Sequence, residues 1–309
     1  MNPSLRTPAH DQRTFASREL TPSVTVVICT RNRPAFLQKC LAGIARLKPA
    51  PNQVLVIDNS AGNADTRKVA SDYGARYIIE PVPGLSHARN RGLAECSTEI
   101  VAFLDDDAVP APEWLGALVA PFADKQIAAA TGKVFSLDGD SSESASQNFM
   151  TLSSSDSHWF ERATFGGMGV GCNMALRREA CIGWNVFDER LGRGAPFHIG
   201  EESFAFASFI SRGYTAVYLP SAAVYHATHK RDPIEVEARN SLAYWLLLFS
   251  EFPGQRLNLV RFLFRRLSGK RLDWPRNPQD PGEIVSSSWH VKLRAGWNGL
   301  LLFLRTPKP

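Results

Sequence analysis

Three consecutive aspartates, Asp105, Asp106 and Asp107, follow an apolar run in the sequence FLDDDAVP. Asp105 and Asp107 are two positions apart, and residues with this spacing at the end of a strand project to the same side. Carboxylate oxygens with open positions suit Mg²⁺ or Mn²⁺ bridging a diphosphate. A divalent cation would also relieve the repulsion between adjacent carboxylates. The spacing alone fits a metal site and a solvated acidic turn equally well.

A second acidic pair, Glu201 and Glu202, follows Gly200 at the predicted start of a helix. Two adjacent carboxylates near a substrate can split their pKa values, which leaves one of them suited to act as a general base. Acidic side chains also favour the first turn of any helix, because they complement its dipole. Both explanations stay open at this stage.

The elements that must position these residues alternate along the first half of the chain. Apolar runs predict strands over 24–29, 53–57, 76–79, 99–104 and 127–135, and apolar spacing predicts helices over 36–47, 64–73, 85–95 and 113–122. This alternation predicts parallel βαβ units and a sheet buried on both faces. Ligands of such sheets lie beyond the carboxyl ends of the strands. Those ends carry Thr30, Arg31 and Asn32, then Asp58, then the aspartate run, so we expect one site there.

The second half of the chain is less regular. Residues 136–158 are rich in Ser and Asp without periodicity and predict a mobile loop near the acceptor. The pattern then predicts a glycine-rich approach to a strand over 166–176, a short helix over 178–182, a helix over 201–212, a strand over 216–219 and helices from 233 onward. The expected fold class is therefore α/β with a helical C-terminal extension.

Composition and charge exclude several classes of protein. The chain has 309 residues, of which 44% are hydrophobic and 21% charged, a globular composition. Residues 1–22 are polar and predict a flexible lead without a secretory signal, and no apolar run is long enough to span a membrane. The five cysteines form no C-x-x-C pair, which favours a reducing compartment. These features predict a cytoplasmic protein.

The net charge of +5 is concentrated at the C-terminus. From residue 230 onward, 14 Lys/Arg stand against 7 Asp/Glu, or +7, which leaves −2 for the rest. Leu257, Val260, Phe264 and Leu267 form one apolar stripe of a basic helix there. Such a helix is typical of peripheral binding to an anionic membrane surface, and equally of a helix packed on the catalytic domain or on a dimer partner. No basic sheet with interleaved aromatics and no zinc spacing occurs, so we expect no nucleic-acid partner.

Seven motifs carry a resemblance to a known family. TVVICTRNRP, VLVIDNS, GLSHARNRGL and FLDDDAVP occur in this order, followed by GCNMALRREACIGWNVFDERLGRG, IGEESFAFASFISRGY and VYLPSAAVYH. As an ordered set they resemble the family 2 glycosyltransferases, which have the GT-A fold and belong to the nucleotide-diphospho-sugar transferase superfamily. The resemblance implies a Rossmann-like, mostly parallel sheet flanked by helices.

The resemblance also implies a division of the chain and of the donor site. Residues 23–229 would form the catalytic domain, with 23–135 as the nucleotide-binding half and 136–229 as the acceptor half, and 230–309 would be the basic helical extension. Thr30, Arg31 and Asn32 would line the nucleotide pocket, with Asp58 on the base and Arg89 near the uridine and diphosphate. A UDP-sugar would therefore be the expected donor.

Metal ligands and the base follow from the same resemblance. Asp107 would bind Mn²⁺ or Mg²⁺ directly, Asp105 or Asp106 would hold the ribose and outer-shell waters, and His226 would add a ligand. His229 is a weaker substitute for His226. Glu202 takes the place of the aspartate that serves the family as general base, and the reaction would invert the anomeric configuration.

Glu201 would orient the acceptor or support the site. The acceptor would be a hydroxyl of a glycan, a lipid-linked molecule or a small molecule. Trp159, Trp184 and Phe197 are candidates to stack on a sugar ring, although most tryptophans are packed in the core. Two alternatives stay open: a nucleotide-sugar-binding protein that has lost activity, because Glu202 replaces the usual aspartate, and a nucleotidyltransferase of similar layout. The latter would show a glycine-rich phosphate loop after the first strand, which TRNR lacks.

Overall fold

A computed structural model describes residues 22–137, 150–165, 168–227, 233–267 and 289–309. The predicted flexible lead lies outside these residues, except for Pro22. The strands are β1 (Val24–Thr30), β2 (Gln53–Asp58), β3 (Arg76–Ile79), β4 (Ile100–Asp105), β5 (Ala108–Pro110), β6 (Ile127–Ser136), β7 (Met150–Leu152), β8 (Asn173–Arg177) and β9 (Thr215–His226). The α-helices are α1 (Pro34–Ile44), α2 (Ala64–Asp72), α3 (Leu85–Glu95), α4 (Trp114–Val119), α5 (Trp159–Phe165), α6 (Glu201–Ser211), α7 (Ile234–Glu251), α8 (Arg256–Leu267) and α9 (Trp289–Arg305).

One nine-stranded sheet organises the described part of the chain. Its order is β3-β2-β1-β4-β8-β6-β9-β5, with β7 paired to β9. The pairs among β3, β2, β1 and β4 are parallel, as predicted. The other half is mixed, because β8 runs antiparallel to β4 and β6 while β6 and β9 are parallel. The expectation of a mostly parallel sheet therefore holds for the first half, and the α/β class is confirmed.

Burial of β1 explains how the sheet is held. All seven of its residues are buried. Val26 and Ile28 pack into the core on one face of the sheet, and Val27 and Cys29 pack into the core on the other. Successive residues of a strand point to opposite faces, so a continuous β-branched run feeds both cores. The sheet is thus covered on both sides, as the sequence predicts.

Three short elements were not predicted. The segment expected to be a loop over 136–158 contains β7, and α5 follows it directly; residues 138–149 lie outside the described part. β5 follows the aspartate run and pairs with the end of β9. β9 itself extends well past the predicted 216–219. Both missed strands, β5 and β7, have three residues each, too few for an alternating pattern to be recognised.

The C-terminal helices pack on the rest of the protein. Phe252, after α7, makes edge-to-face contacts with Phe160 of α5 and Phe204 of α6, with ring centroids 5.0 and 5.3 Å apart. Phe262 of α8 stacks on Phe165 at 4.6 Å. Such contacts bury large apolar rings, the dominant favourable term in folding. Among the described residues, no helix has both the length and the apolar composition needed to cross a membrane.

The two faces of α8 differ. Leu259 and Phe262 are buried, whereas Leu257 and Phe264 are 60% and 67% exposed. The predicted apolar stripe joined Leu257, Val260 and Phe264, so its outer members do not face the protein. The side chain of Leu267 lies outside the described part of the chain. The packing expectation is confirmed for one face of the helix, and binding of the open face to a membrane stays a prediction.

Candidate active site

The aspartate cluster, Asp105, Asp106 and Asp107, occupies the end of β4 and the turn into β5. β5 runs antiparallel to the end of β9 with Ala108 opposite His226, which brings the histidine beside the turn. One ligand atom each from Asp105, Asp107 and His226 lies within 4.8 Å of the others. Asp107 reaches this position from a turn, where the sequence analysis expected strand alternation to align it with Asp105.

Cationic and hydrogen-bond donor side chains surround the cluster. Asp107 lies between His226, whose Nε2 is 3.1 Å from its Oδ1, and Arg33, whose Nη1 is 2.9 Å from its Oδ2. Asp106 accepts a hydrogen bond of 2.5 Å from the Thr30 hydroxyl and forms an ion pair with Arg33. Arg33 was not among the predicted site residues. Its signal was its place in TRNRP, directly after the first strand.

Asp106 points inward and is fully buried. Burial raises the pKa of Asp106 to about 7, against the lowering effect of Arg33 and of the hydrogen bond from Thr30. Because Asp106 contacts Thr30 and Arg33, it holds the end of β1 against the turn that follows β4. The three aspartates therefore differ in their surroundings. Asp105 and Asp107 lie near His226, whereas Asp106 holds the turn in place through Thr30 and Arg33.

Arg89 connects the aspartate cluster to the second acidic site. Its side chain is almost fully buried, with Nη1 2.7 Å from Glu201 Oε1 and Nη2 3.4 Å from Asp105 Oδ1. Nη2 also donates to the Gly171 carbonyl at 3.0 Å. A Cβ at Gly171 would lie 2.8 Å from the guanidinium, so the close approach requires glycine. Because one buried guanidinium contacts both groups of carboxylates, their positions are coupled.

The glutamate pair, Glu201 and Glu202, opens α6 after Gly200, which has a left-handed φ of 82°. Both side chains are buried. Burial first, and then the neighbouring Glu201, raise the pKa of Glu202 to about 8, while Arg89 acts in the opposite direction. Glu201 takes the ion pair with Arg89, which leaves Glu202 as the member of the pair that holds a proton near neutral pH.

Asp58 lies at the predicted strand end but is fully buried. Its Oδ1 accepts from the Ser60 hydroxyl at 2.7 Å, and its Oδ2 accepts from the Tyr77 hydroxyl at 2.5 Å and from the Asn63 backbone N–H at 3.1 Å. These bonds fix the loop that follows β2. Contact between Asp58 and a nucleobase stays a prediction.

The structure brings most of the predicted residues to one edge of the sheet. β1 pairs with β2 and β4 on its two sides, with Thr30 opposite Asp58 and Cys29 opposite Asp105, so the three strand ends are adjacent. Arg31 and Asn32 are exposed just beyond β1, and Asn32 has a left-handed φ of 56°. Their role in the nucleotide pocket stays a prediction. His229 lies outside the described residues.

Two of the three aromatic candidates for the acceptor face pack against other side chains. Trp184 packs edge-to-face on Phe209 and lies 3.9 Å under the guanidinium of Arg212, near the C-terminal end of α6. Phe209 is seven residues beyond Glu202, about 10 Å along a helix. Phe197 is fully buried, so its ring has no free face for a sugar. For both, the packing explanation fits the structure. Trp159 is half-buried against Phe160 and stays a candidate.

The chemistry of the site follows from its donor set. Two carboxylates and an imidazole within 4.8 Å offer oxygen and nitrogen ligands, a set that suits Mn²⁺ and accommodates Mg²⁺. Asp105, Asp107 and His226 therefore fit the divalent metal that the sequence predicts. The glutamate pair, which Arg89 connects to them, offers a proton acceptor close to the same edge of the sheet.

Comparison with known proteins identifies the relatives of this chain. The family model described as glycosyl transferase family 2 matches residues 25–183. Over 119 residues the chain is 35% identical to a pre-mycofactocin glycosyltransferase of Mycobacterium tuberculosis, covering 37% of this chain and 24% of the relative. Over 255 residues it is 25% identical to an N-acetylglucosaminyltransferase of Rhizobium leguminosarum bv. viciae, covering 77% and 57%. The chain thus spans about a quarter of the mycobacterial relative and just over half of the rhizobial one.

Solved structures share the fold at low sequence identity. The mannosyltransferase PcManGT from Pyrobaculum calidifontis, in complex with GDP-Man and Mn²⁺, superposes with a TM-score of 0.55 at 18% identity, covering 91% of this chain and 74% of that one. S. aureus TarS superposes with a TM-score of 0.52 at 16% identity, covering 71% and 39%. These similarities establish the GT-A fold.

Proposed function

The chain belongs to glycosyl transferase family 2, and from this membership we propose that it is a glycosyltransferase that moves a sugar from a nucleoside diphosphate donor to an acceptor hydroxyl with inversion. The observation that carries the proposal is the contact of Arg89 with both Asp105 and Glu201. It couples a group of residues suited to a metal-bound diphosphate with a pair suited to proton transfer. The reaction needs the metal-bound diphosphate on one side of the transferred sugar and the proton acceptor on the other.

In the proposed reaction Glu202 is the general base. Its carboxylate takes the proton of the acceptor hydroxyl, and the acceptor oxygen forms a bond to the anomeric carbon from the face opposite the leaving group. The bond between that carbon and the diphosphate oxygen breaks, and the diphosphate leaves with the electron pair. Glu202 ends as the carboxylic acid, a form that its raised pKa favours. Glu201 keeps its ion pair with Arg89 and orients the site.

Asp105, Asp107 and His226 are the residues that would hold Mn²⁺ or Mg²⁺. The metal, when bound, would neutralise charge that develops on the departing diphosphate. Asp106 and Arg33 would keep the turn in place, because Arg33 contacts both Asp106 and Asp107. Arg33 is 41% exposed and also offers positive charge to a phosphate.

We expect a UDP-sugar as the donor, as the family resemblance of Asp58 and Arg89 implies. The archaeal mannosyltransferase with the same fold is described with GDP-Man, so GDP is the first alternative. The experiment is incubation of the protein with radiolabelled UDP- and GDP-sugars, with Mn²⁺ or with EDTA, and with glycan and lipid-linked acceptors. Metal-dependent transfer that yields an inverted linkage by NMR supports the proposal. Nucleotide binding without transfer to any acceptor would favour the degenerate alternative, and exchange of pyrophosphate would favour a nucleotidyltransferase.

We further propose that α8 docks the enzyme on an anionic membrane surface from the cytoplasmic side. On its outer face Leu257, Arg261, Phe264 and Arg265 are all exposed at positions i, i+4, i+7 and i+8. Two large apolar side chains between arginines suit an interface where apolar groups enter the headgroup region and cations attract anionic lipid, at about 1 kcal/mol per basic residue. The opposite face of α8 is occupied by packing, so docking leaves the fold unchanged.

Vesicle sedimentation tests this docking. Phe264→Ser should weaken binding to phosphatidylglycerol vesicles several-fold, while Tyr225→Ser, at an aromatic residue that is also partly exposed but lies in β9, should not. Neutral phosphatidylcholine vesicles should bind the unaltered protein and both variants only weakly. Equal binding of Phe264→Ser and the unaltered protein would favour a purely packed helix. Point variants are preferable to removal of 254–309, because that segment includes the buried Leu259 and Phe262.

A further inference from the structure

Tyr244 of α7 lies against the start of the helix that carries the glutamate pair. Its side chain is 4% exposed, and a Cβ added to Gly200 would lie 2.6 Å from its ring. The ring therefore rests directly on the backbone that precedes Glu201. This contact joins the C-terminal helices to the acidic site, although the family model match ends at residue 183, well before α7.

The Tyr244 hydroxyl is buried and has no hydrogen-bond partner among the described residues. A buried phenol normally finds a partner, because an unsatisfied hydroxyl carries a desolvation cost. Burial and then the charges of Glu202 and Glu201 raise the pKa of Tyr244 well above its ordinary value, so the group stays a neutral donor. The Tyr244 hydroxyl is thus a donor without a partner on which the charges of Glu202 and Glu201 act. This suggests a hydrogen bond that forms in another protonation state of the glutamate pair.

The charged groups that act on Glu202 identify that state. Glu201 and Asp105 oppose its ionisation, and Arg89 favours it but is engaged by Glu201 and Asp105. α5, which also packs against α6, carries Glu161 and Arg162. When Glu202 is protonated it needs no further donor. When it is ionised, its buried carboxylate is stabilised by the backbone N–H of Glu202 and by Arg89, which Glu201 also engages. The phenol of Tyr244, on which the charge of Glu202 acts, is a neutral donor without a hydrogen-bond partner among the described residues.

We propose that the Tyr244 hydroxyl is a positioning group that donates a hydrogen bond to the ionised carboxylate of Glu202. The bond stabilises the proton-accepting form of the base and fixes which carboxylate oxygen faces the acceptor. No atom is transferred to or from Tyr244. This inference rests on the role of Glu202 in the proposed function, and its test below needs no substrate, so that the two fail separately.

The test is thermal unfolding in EDTA of four proteins: unaltered, Tyr244→Phe, Glu202→Gln and the double variant. Phenylalanine keeps the ring on Gly200 and removes only the hydroxyl. At a pH of about 6, where Glu202 is protonated, Tyr244→Phe should leave the Tm unchanged or raise it. At a pH of about 9 the same substitution should lower the Tm by about 2 °C or more, because the ionised carboxylate loses its donor. In the Glu202→Gln background the substitution should have the same effect at both pH values.

Two results would overturn the inference. A Tm difference that is the same at both pH values in the unaltered background would make Tyr244 a packing residue only. A pH-dependent difference that persists with Glu202→Gln would assign it to ionisation of Tyr244 itself. Tyr214→Phe, at the other end of α6, is the matched control and should show no pH-dependent difference.

A kinetic measurement keeps the inference testable if the double variant does not fold. The rate of donor hydrolysis by Tyr244→Phe, measured with a UDP- or GDP-sugar that the enzyme accepts, should follow a pH profile displaced to higher pH. A displacement of about one unit gives a tenfold loss at neutral pH that alkaline buffer restores. A loss of the same size at every pH would contradict the proposed bond.

Discussion

The aspartate cluster and the glutamate pair are both groups of adjacent acids at one edge of the sheet, yet their surroundings differ. The aspartate cluster is flanked by Arg33, His226 and Arg89, and the Asp105 side chain is 29% exposed. The glutamate pair is buried, and its ion pair with Arg89 involves only Glu201. Two carboxylates that converge with an imidazole, as Asp105 and Asp107 do with His226, are suited to hold a cation. Acids buried with too little positive charge are suited to hold a proton.

Among variants that distinguish the glutamate pair from the aspartate cluster, we expect Glu202→Gln to have the largest effect on turnover. Loss of the proposed general base should lower turnover by about 10²–10⁴-fold, while the donor affinity should stay the same, because the proposed metal ligands are untouched. Initial rates and donor titrations measure the two quantities. Glu179→Gln, an exposed glutamate, is the control and should behave as the unaltered enzyme. A variant that keeps turnover would exclude Glu202 as the base.

The next effect concerns the connection between the two sites. Arg89→Met should lower the free energy of unfolding by about 3–5 kcal/mol, because Glu201 keeps a buried charge without its partner. It should also weaken metal-dependent donor binding through Asp105. Urea unfolding and calorimetry measure these changes. Arg91→Met, on an exposed position of the same helix, should have little effect on either. A stable Arg89→Met protein with intact donor binding would show that the aspartate cluster and the glutamate pair do not depend on Arg89 as a connection.

A smaller effect is expected from pH. With a Glu202 pKa of about 8, the ionised fraction at neutral pH is about a tenth, so turnover should rise with pH until it levels off above pH 8. Stability should change in the opposite sense: the folded-state pKa lies above that of the unfolded chain, so the free energy of unfolding falls as pH rises towards 8. Glu202→Gln should remove this slope. A rate that falls across this range would contradict the assignment.

The smallest effect on activity is expected for Trp184→Leu. Trp184 packs on Phe209 and Arg212 at the end of α6 remote from Glu202, so the acceptor KM should not change. The free energy of unfolding should fall by about 1–3 kcal/mol through lost packing. Acceptor kinetics and urea unfolding check both statements. An acceptor KM that rises several-fold would place the tryptophan in the acceptor site after all.

The sequence predicted the first half of the fold closely, because continuous apolar runs mark its strands and apolar residues at helical spacing mark its helices. β1 to β4 and their intervening helices match within about two residues at most ends. Parallel neighbours also bring their carboxyl ends to one edge, so the meeting of Thr30, Asp58 and Asp105 was predictable. The short β5 and β7 lack a period of their own and form through pairing with β9, a long-range contact.

Prediction of the site was weaker where distant segments meet. Arg33 stands in the motif itself, but its ion pairs with Asp106 and Asp107 join positions more than 70 residues apart. Tyr244 lies 44 residues beyond the glycine it covers, in a helix that the sequence analysis treated as an extension. Trp184 was near the motifs in sequence, yet its side chain turns to the remote end of α6. Separation along the sequence does not indicate which distant side chains contact each other in the fold.

Donor binding by two variants tests the division of labour between the two groups of acids most directly. UDP and GDP would be titrated calorimetrically, with and without Mn²⁺, into Asp107→Asn, Glu202→Gln and, as a surface control, Asp72→Asn. We expect Glu202→Gln and Asp72→Asn to bind one nucleotide as the unaltered protein does and only with the metal, and Asp107→Asn to lose about 100-fold or more of that affinity. Equal loss in Asp107→Asn and Glu202→Gln, or metal-dependent binding that survives in Asp107→Asn, would contradict the assignment of the aspartate cluster to the metal and of the glutamate pair to the proton.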